Sequence, residues 1–213
     1  MTNSIPEIQD ADCVFVIGSN TTEAHPLIAH RVYRAKLKGA KLIVVDPRKI
    51  QLSQFADIHV RINYGTDVAF LNGVMNEIVK NNWHNREFIK ERCEGFEDFE
   101  KTILEYSLEK ASSICGVPAD VMKEVARAYA TSRVSTILYT LGITEHSHGV
   151  DNVKSLANLA MLTGHIGKLA SGVNPLRGQN NVQGACDMGA LPNVYPGYQV
   201  VTDLASREKF QRA

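Results

Sequence analysis

The 213-residue chain has no excess of either charge, because 23 lysines and arginines balance 23 aspartates and glutamates. A nucleic-acid-binding surface usually shows as a basic excess, so this balance argues against a nucleic-acid partner. The chain also lacks an apolar run of membrane-spanning length, and its first residues lack the basic and apolar regions of a signal peptide. We therefore predict no direct membrane insertion, and the cytoplasm is the default location.

Cysteine is scarce, and none of the four residues Cys13, Cys93, Cys115 and Cys186 forms a C-x-x-C pair. The common metal-ligand spacings are therefore absent, and a chain of this size is not expected to need a disulfide framework. We predict no metal ligand in this chain. Cys13 opens an apolar run and is expected to pack as a small hydrophobic residue.

The glycine fingerprint of NAD-binding domains is missing as well. Gly18 ends an apolar run, but Ser19, Asn20 and Thr21 follow it where G-x-G-x-x-G requires a second glycine. This absence excludes the usual nicotinamide-dinucleotide motif without excluding nucleotides in general.

Four short runs of apolar and β-branched residues are present, at 13–18, 41–46, 58–62 and 135–141. Continuous runs of this length are typical of strands buried on both faces of a parallel sheet. Helical spacing of apolar residues predicts helices over 26–38, from 66 or 67, from 118 and over 153–162, with short helices between 85 and 115. The predicted fold class is α/β, with a doubly wound, mainly parallel sheet.

Polar residues follow three of these strands at the point where each ends. They are Gly18 to Pro26, Asp46-Pro47-Arg48, and Leu141 to His146. Ligands of open α/β sheets bind outside the carboxyl ends of the strands, so these positions favour a nucleotide site. Gly18 allows a tight turn, Asp46 can accept hydrogen bonds from a ribose or base, and Arg48 can pair with phosphate. The alternative, that Gly18 only turns the chain and Asp46 only caps a loop, stays open here.

A polar run rich in glycine extends from Asn174 to Gly189, with three glycines, two glutamines and three asparagines around Arg177. This composition suits a backbone that approaches a polar ligand closely, although a plain surface loop is the alternative. Few strong elements follow, so we predict an α/β domain over 1–177 and the start of an incomplete neighbouring domain over 178–213.

Several strings of this sequence resemble the catalytic subunit of formate dehydrogenases in the molybdopterin oxidoreductase family, and the resemblance covers essentially the whole chain. The matching strings are Val14–Asn20, Glu23–Pro26, Val45–Arg48, Leu159–Gly164 and Val173–Tyr198. The first four are widespread in that family, whereas the last is specific to the formate dehydrogenase branch. His165 departs from the family pattern, which usually has asparagine there.

The resemblance implies a Rossmann-like domain that binds one of two molybdopterin guanine dinucleotides, whose dithiolenes hold molybdenum or tungsten. The implied cofactor-binding residues are Gly18, Asn20, His25, Asp46, Pro47, Arg48, Gly65, Asp67, Leu141, Gly142, Glu145, Gly178 and Gln179. Arg177 is implied as the catalytic arginine that orients formate. A planar guanidinium suits that role because it can engage both carboxylate oxygens and stays charged at any working pH.

The family's cysteine or selenocysteine metal ligand, the histidine beside it and the cysteines of its 4Fe-4S cluster precede the region that matches. We therefore expect an internal fragment that is inactive alone, with formate, the remaining domains of the same subunit and electron-transfer subunits as partners of the parent. Two alternatives stay open: another member of the family, such as a nitrate reductase, and a non-catalytic nucleotide-binding module.

Overall fold

The fold is described from a computed structural model that covers residues 1–212, and its centre is one parallel sheet. The strands are β1 (Cys13–Ile17), β2 (Lys41–Val45), β3 (Ile58–Val60), β4 (Ser135–Tyr139) and β5 (Gly172–Pro175). They lie in the order β3-β2-β1-β4-β5, and every neighbouring pair is parallel. The predicted α/β class with a mainly parallel sheet is confirmed.

Helices cover both faces of this sheet. They are α1 (Thr21–Ala24), α2 (Pro26–Leu37), α3 (Asp67–Lys80), α4 (Arg86–Arg92), α5 (Phe96–Leu104), α6 (Leu108–Cys115), α7 (Ala119–Ala130), α8 (Leu141–Thr144) and α9 (Gly149–Thr163). Two 3-10 segments, Ile5–Asp10 and Gln51–Phe55, complete the unit. Within residues 1–212 no helix has both the length and the apolar character that crossing a membrane requires.

The strand residues divide between two cores because successive side chains point to opposite faces. In β1, Phe15 and Ile17 pack with α3, α7 and α9, whereas Val14 and Val16 pack with α2 and the first 3-10 segment. All five β1 residues are buried, as expected for a strand covered on both sides. Cys13 is fully buried in the larger core, and that burial raises the pKa of its thiol to about 12.

The predicted strands were right in place and one or two residues too long at their carboxyl ends. The observed strands end at Ile17, Val45, Val60 and Tyr139. β5 was missed, because its sequence Gly-Val-Asn-Pro has no continuous apolar run. Its pairing is supported instead by a buried hydrogen bond from the side-chain amide of Asn174 to the hydroxyl of Thr136 on β4 (2.9 Å).

The chain divides into two compact units, the first ending at Leu176 and the second beginning at Arg177. The second unit, described over residues 177–212, contains α10 (Val182–Asp187), an antiparallel pair of β6 (Val194–Tyr195) and β7 (Gln199–Val200), and α11 (Leu204–Gln211). Its aromatic contact is a stack of Tyr195 on Phe210, with ring centroids 4.6 Å apart.

Candidate functional site

A cleft of about 320 Å³, lined by both polar and apolar residues, lies at the carboxyl ends of β1, β2, β3 and β4. From β1 the chain continues to β2 on one side, while β4 occupies the other side, so the connections diverge at this point. Such a switch point opens a crevice between neighbouring loops, and ligands of open α/β sheets bind there. Most of the residues by which the predicted strands overran, including Gly18 and Asp46, line this cleft.

The floor of the cleft is a contact between two glycine backbones. Gly18 has a φ of +57°, and a Cβ added there would lie 2.7 Å from the carbonyl carbon of Gly142. A Cβ on Gly142 would lie 2.6 Å from the oxygen of Gly18. The amide of Gly142 and the hydroxyl of Thr140 both donate to that oxygen, at 3.1 and 2.8 Å. Neither glycine can be replaced without moving backbone, so the ligand-facing floor has no side chains.

Asp46, Pro47 and Arg48 form the wall above β2. Asp46 is only 4% exposed, and its Oδ1 accepts a hydrogen bond from the amide of Arg48 at 2.8 Å. This side chain-to-backbone bond two residues ahead shapes the turn. The Nε of Arg48 lies 3.4 Å from the same oxygen, and the Arg48 side chain is 64% exposed. Its guanidinium therefore lines the cleft while remaining accessible to solvent.

The start of α3 supplies a third wall, with Gly65 and Asp67 facing the cleft. Asp67 is the first residue of the helix and is buried. Burial raises the pKa of its carboxyl, while a backbone hydrogen bond and the charges of His146 and His148 act in the opposite direction. Its carboxyl oxygens line the cleft, where they can accept hydrogen bonds from N–H or O–H groups of a ligand.

The turn after β4 completes the cleft with Thr140, Leu141, Gly142 and His146. The Nε2 of His146 lies 2.9 Å from the carbonyl oxygen of Gly142. Its ring lies next to that of His148, with centroids 5.5 Å apart. His146 and Asp67 line the same cleft.

Nine of the residues predicted to contact the cofactor line this one cleft. They are Gly18, Asn20, Asp46, Pro47, Arg48, Gly65, Asp67, Leu141 and Gly142. Two others in the first unit lie outside its lining: His25 joins α1 to α2, and Glu145 is exposed after α8. Sequence reasoning missed Asn63 and Tyr64, which lie in the loop after β3, and named His146 only as the end of the polar run after β4 without assigning it a contact.

Arg177, Gly178 and Gln179 open the second unit, and all three are exposed. Within that unit the charge of Arg177 acts on the phenol of Tyr198, whose pKa is raised chiefly by a hydrogen bond with Asp187. Tyr198 has a φ of +58°, an uncommon conformation for a non-glycine residue. Within residues 1–212 no group of three or more His, Cys, Asp or Glu side chains is arranged to hold a metal ion.

The fold is that of a doubly wound α/β domain with a cleft at its switch point. Comparison with known proteins identifies the family within this class. Residues 1–211 match the model of the family described as molybdopterin oxidoreductase. The chain belongs to the molybdopterin oxidoreductase family.

Curated relatives confirm the resemblance to formate dehydrogenases. F420-dependent formate dehydrogenase subunit alpha of Methanocaldococcus jannaschii is 57% identical over 203 residues, which is 95% of this chain and 30% of that protein. Formate dehydrogenase H of Escherichia coli is 48% identical over 213 residues, which is 100% of this chain and 30% of that protein. The chain thus spans about 30% of the length of these relatives.

The fold also has a solved counterpart. Acetylene hydratase from Pelobacter acetylenicus aligns with a TM-score of 0.71 and 24% identity, over 76% of this chain and 24% of that protein. At this identity the likeness speaks for the fold alone.

Proposed function

We propose that this chain supplies a cofactor-binding domain of a formate dehydrogenase catalytic subunit, whose whole protein oxidises formate to carbon dioxide. The observation that carries the proposal is the 57% and 48% identity to formate dehydrogenases over nearly all of the chain. These relatives favour formate over nitrate as the substrate. Because they are about three times longer, the activity belongs to the whole protein.

The cleft fits the nucleotide part of a molybdopterin guanine dinucleotide. Gly18 and Gly142 present backbone without side chains to the cleft, so a ligand can approach that backbone closely, and an added Cβ at either position would push the two backbones apart. The cleft volume of about 320 Å³ is at the lower end of the roughly 300–1,000 Å³ of small-molecule sites, which suits one nucleotide. When bound, the cofactor supplies molybdenum or tungsten as the centre that accepts two electrons.

The polar side chains divide the tasks of holding that nucleotide. Asp46 and Asp67 are buried acceptors for purine N–H groups or ribose hydroxyls. Arg48 is an exposed cation on the same wall, which can pair with phosphate. His25, Glu145, Gly178 and Gln179 are proposed as further cofactor contacts on the strength of the family resemblance.

Arg177 is proposed to bind formate and orient it. Two parallel N–H donors of a guanidinium match the two oxygens of a carboxylate, which fixes the plane of the substrate. The fixed positive charge also concentrates an anionic substrate without any protonation step. Electron-transfer subunits, the remaining domains of the subunit and a 4Fe-4S cluster are proposed parts of the whole protein.

The whole protein tests this proposal directly. We expect the purified full-length subunit to reduce an artificial acceptor with formate, to contain molybdenum or tungsten, and to release GMP on acid hydrolysis of its cofactor. Asp67→Asn should lower GMP and metal content together, whereas Asp203→Asn, on an exposed carboxyl of the second unit, should leave both unchanged. A metal-loaded subunit that does not oxidise formate would overturn the substrate assignment.

A further inference from the structure

His146 is a cleft-lining group to which neither the family resemblance nor the proposed function gives a task. It is half-buried at the rim, beside the glycine floor. Its position is held by the contact of Nε2 with the carbonyl oxygen of Gly142 at 2.9 Å. A ring anchored to the floor of a ligand site in this way is oriented before any ligand arrives.

The anchoring contact fixes which ring nitrogen carries the proton. A carbonyl oxygen can only accept, so Nε2 of His146 must donate its N–H to Gly142. In the neutral ring Nδ1 then holds the lone pair. A second proton can be added at Nδ1 without breaking the bond to Gly142, and the ring becomes a cation with a free donor.

The charges around the cleft favour that cation once an anionic ligand is present. The lining contains two buried carboxyls, Asp46 and Asp67, and the exposed guanidinium of Arg48. Asp46 already lies against Arg48, whereas the charge of His146 acts on Asp67. His148 lies against the ring from the same loop, Tyr64 is the other titratable group of the lining, and Glu145, outside the lining, precedes His146 in the chain.

A guanine dinucleotide carries a diphosphate with two negative charges, which these two carboxyls repel. Within the described chain, Arg48 and His146 are the cationic or cation-forming side chains that line the cleft. Arg48 alone offsets one charge. A phosphate in the cleft therefore gains most from a proton on His146, because both opposite charges are then matched at close range.

We propose that His146 binds a phosphate of the nucleotide through Nδ1–H as the imidazolium, so that nucleotide binding takes up one proton. This inference rests on the proposed nucleotide site. It predicts that affinity for a phosphate-bearing guanine ligand is higher at pH 6 than at pH 8. A ligand without phosphate should show no such dependence.

The test uses GDP-mannose, because its diphosphate is esterified at both ends and keeps its charge between pH 5.5 and 8.5. Guanosine serves as the matched ligand without phosphate. Binding to the 213-residue chain is measured by NMR titration of backbone amides at several pH values. We expect GDP-mannose to shift the amides of Gly18, Gly142 and Asp67, and to bind about twofold to fivefold more weakly at pH 8 than at pH 6, the size of one partly exposed ion pair.

His146→Gln keeps an N–H donor for Gly142 but cannot gain a charge, so it should remove the pH dependence of GDP-mannose binding. His148→Gln makes the same change two residues away, on a ring outside the cleft lining, and should behave like the parent chain. If GDP-mannose shifts these amides in the unsubstituted chain but its affinity does not depend on pH, the role of His146 is overturned and the nucleotide site stands. An absence of shifts at Gly18, Gly142 and Asp67 would overturn the nucleotide site itself, and the role of His146 with it.

Discussion

At the residue scale, a substitution of Arg177 can test substrate orientation separately from cofactor binding. In the full-length protein Arg177→Lys keeps the charge but loses the flat pair of donors that holds both formate oxygens. We expect kcat/KM for formate to fall by roughly tenfold to a thousandfold, the range for one misplaced charge-assisted contact in a transition state. Metal and GMP content should stay within error of the parent.

The matched control for this prediction is Arg207→Lys, because Arg207 is also an exposed arginine of the second unit. It should leave formate kinetics unchanged. Near-normal kinetics in a cofactor-loaded Arg177→Lys protein would show that this arginine only supports its loop.

Gly142 makes a second prediction at this scale, on stability. In Gly142→Ala the new Cβ meets backbone atoms of Gly18 at 2.6 to 2.9 Å, and backbone cannot rotate away as a side chain can. Overpacking of this kind costs about 1–3 kcal/mol. Urea unfolding should show the loss, and Gly178→Ala should show almost none because nothing lies within 4 Å of its added Cβ.

His165 links stability to pH. It is 2% exposed, its Nε2 lies 3.2 Å from the carbonyl oxygen of Tyr129, and burial lowers its pKa to about 4. The unfolded chain, with an ordinary pKa of about 6.5, binds this proton more readily than the folded chain. The contribution of neutral His165 to the free energy of unfolding should therefore be fully present above about pH 6.5. It should fall by up to about 3 kcal/mol as the pH drops toward 4.

Chemical unfolding at pH 7 and pH 5 measures this dependence. His165→Asn should flatten it, since asparagine does not titrate, whereas His30→Asn on the exposed face of α2 should not. An unchanged slope in His165→Asn would mean that another group takes up the proton.

At the element scale, the first 3-10 segment (Ile5–Asp10) is tied to the loop before β5 by one carboxylate. Glu7 accepts hydrogen bonds from the amide and hydroxyl of Ser4, from the side chain of Asn3 and from the amide of Ala170, at 2.6 to 3.1 Å. These bonds, led by that of the Ser4 side chain, lower the pKa of Glu7 to about 2. Ala170 has a φ of +60°, so the loop itself is strained there.

We expect Glu7→Gln to lower the free energy of unfolding by about 1 kcal/mol at pH 7, because the amide can accept at only one atom and the site is partly solvated. Since the folded-state pKa is depressed, the contribution is present above about pH 4.5 and is lost as the pH falls toward 2. Glu91→Gln, on an exposed residue of α4, is the control, and equal unfolding midpoints for the two variants would contradict the role of this carboxylate.

Element prediction from the sequence worked where burial dictates composition and failed where pairing rests on single contacts. The apolar runs located β1 to β4, because strands covered on both faces need continuous hydrophobic sequence. The same rule could not find β5, which is held beside β4 by Asn174 and Thr136. Of the cleft, the sequence located the residues directly after each strand. It did not assign a role to His146, because a histidine seven residues beyond a strand has no pattern that separates it from a loop residue.

At the scale of the whole molecule, the proposed reaction needs more than this chain. Within the described residues no side-chain cluster can hold a metal, and the curated relatives are about three times longer. We expect the purified 213-residue chain to show no formate oxidation and only weak guanine-nucleotide binding, since less contact surface offsets the entropy of association. Measurable formate turnover by this chain alone would contradict the expectation.

The paired glycines beneath the cleft also constrain how the domain can change over evolution. An added Cβ on either glycine would meet the backbone, and not a side chain, of the other. No second substitution at the partner position can therefore make room for it. Both positions are therefore closed to stepwise mutation. Arg48 and His146 have no such restriction, because their side chains lie at the rim. New ligand preferences in descendants of this domain should arise by exchange of rim residues over an unchanged pair of glycines.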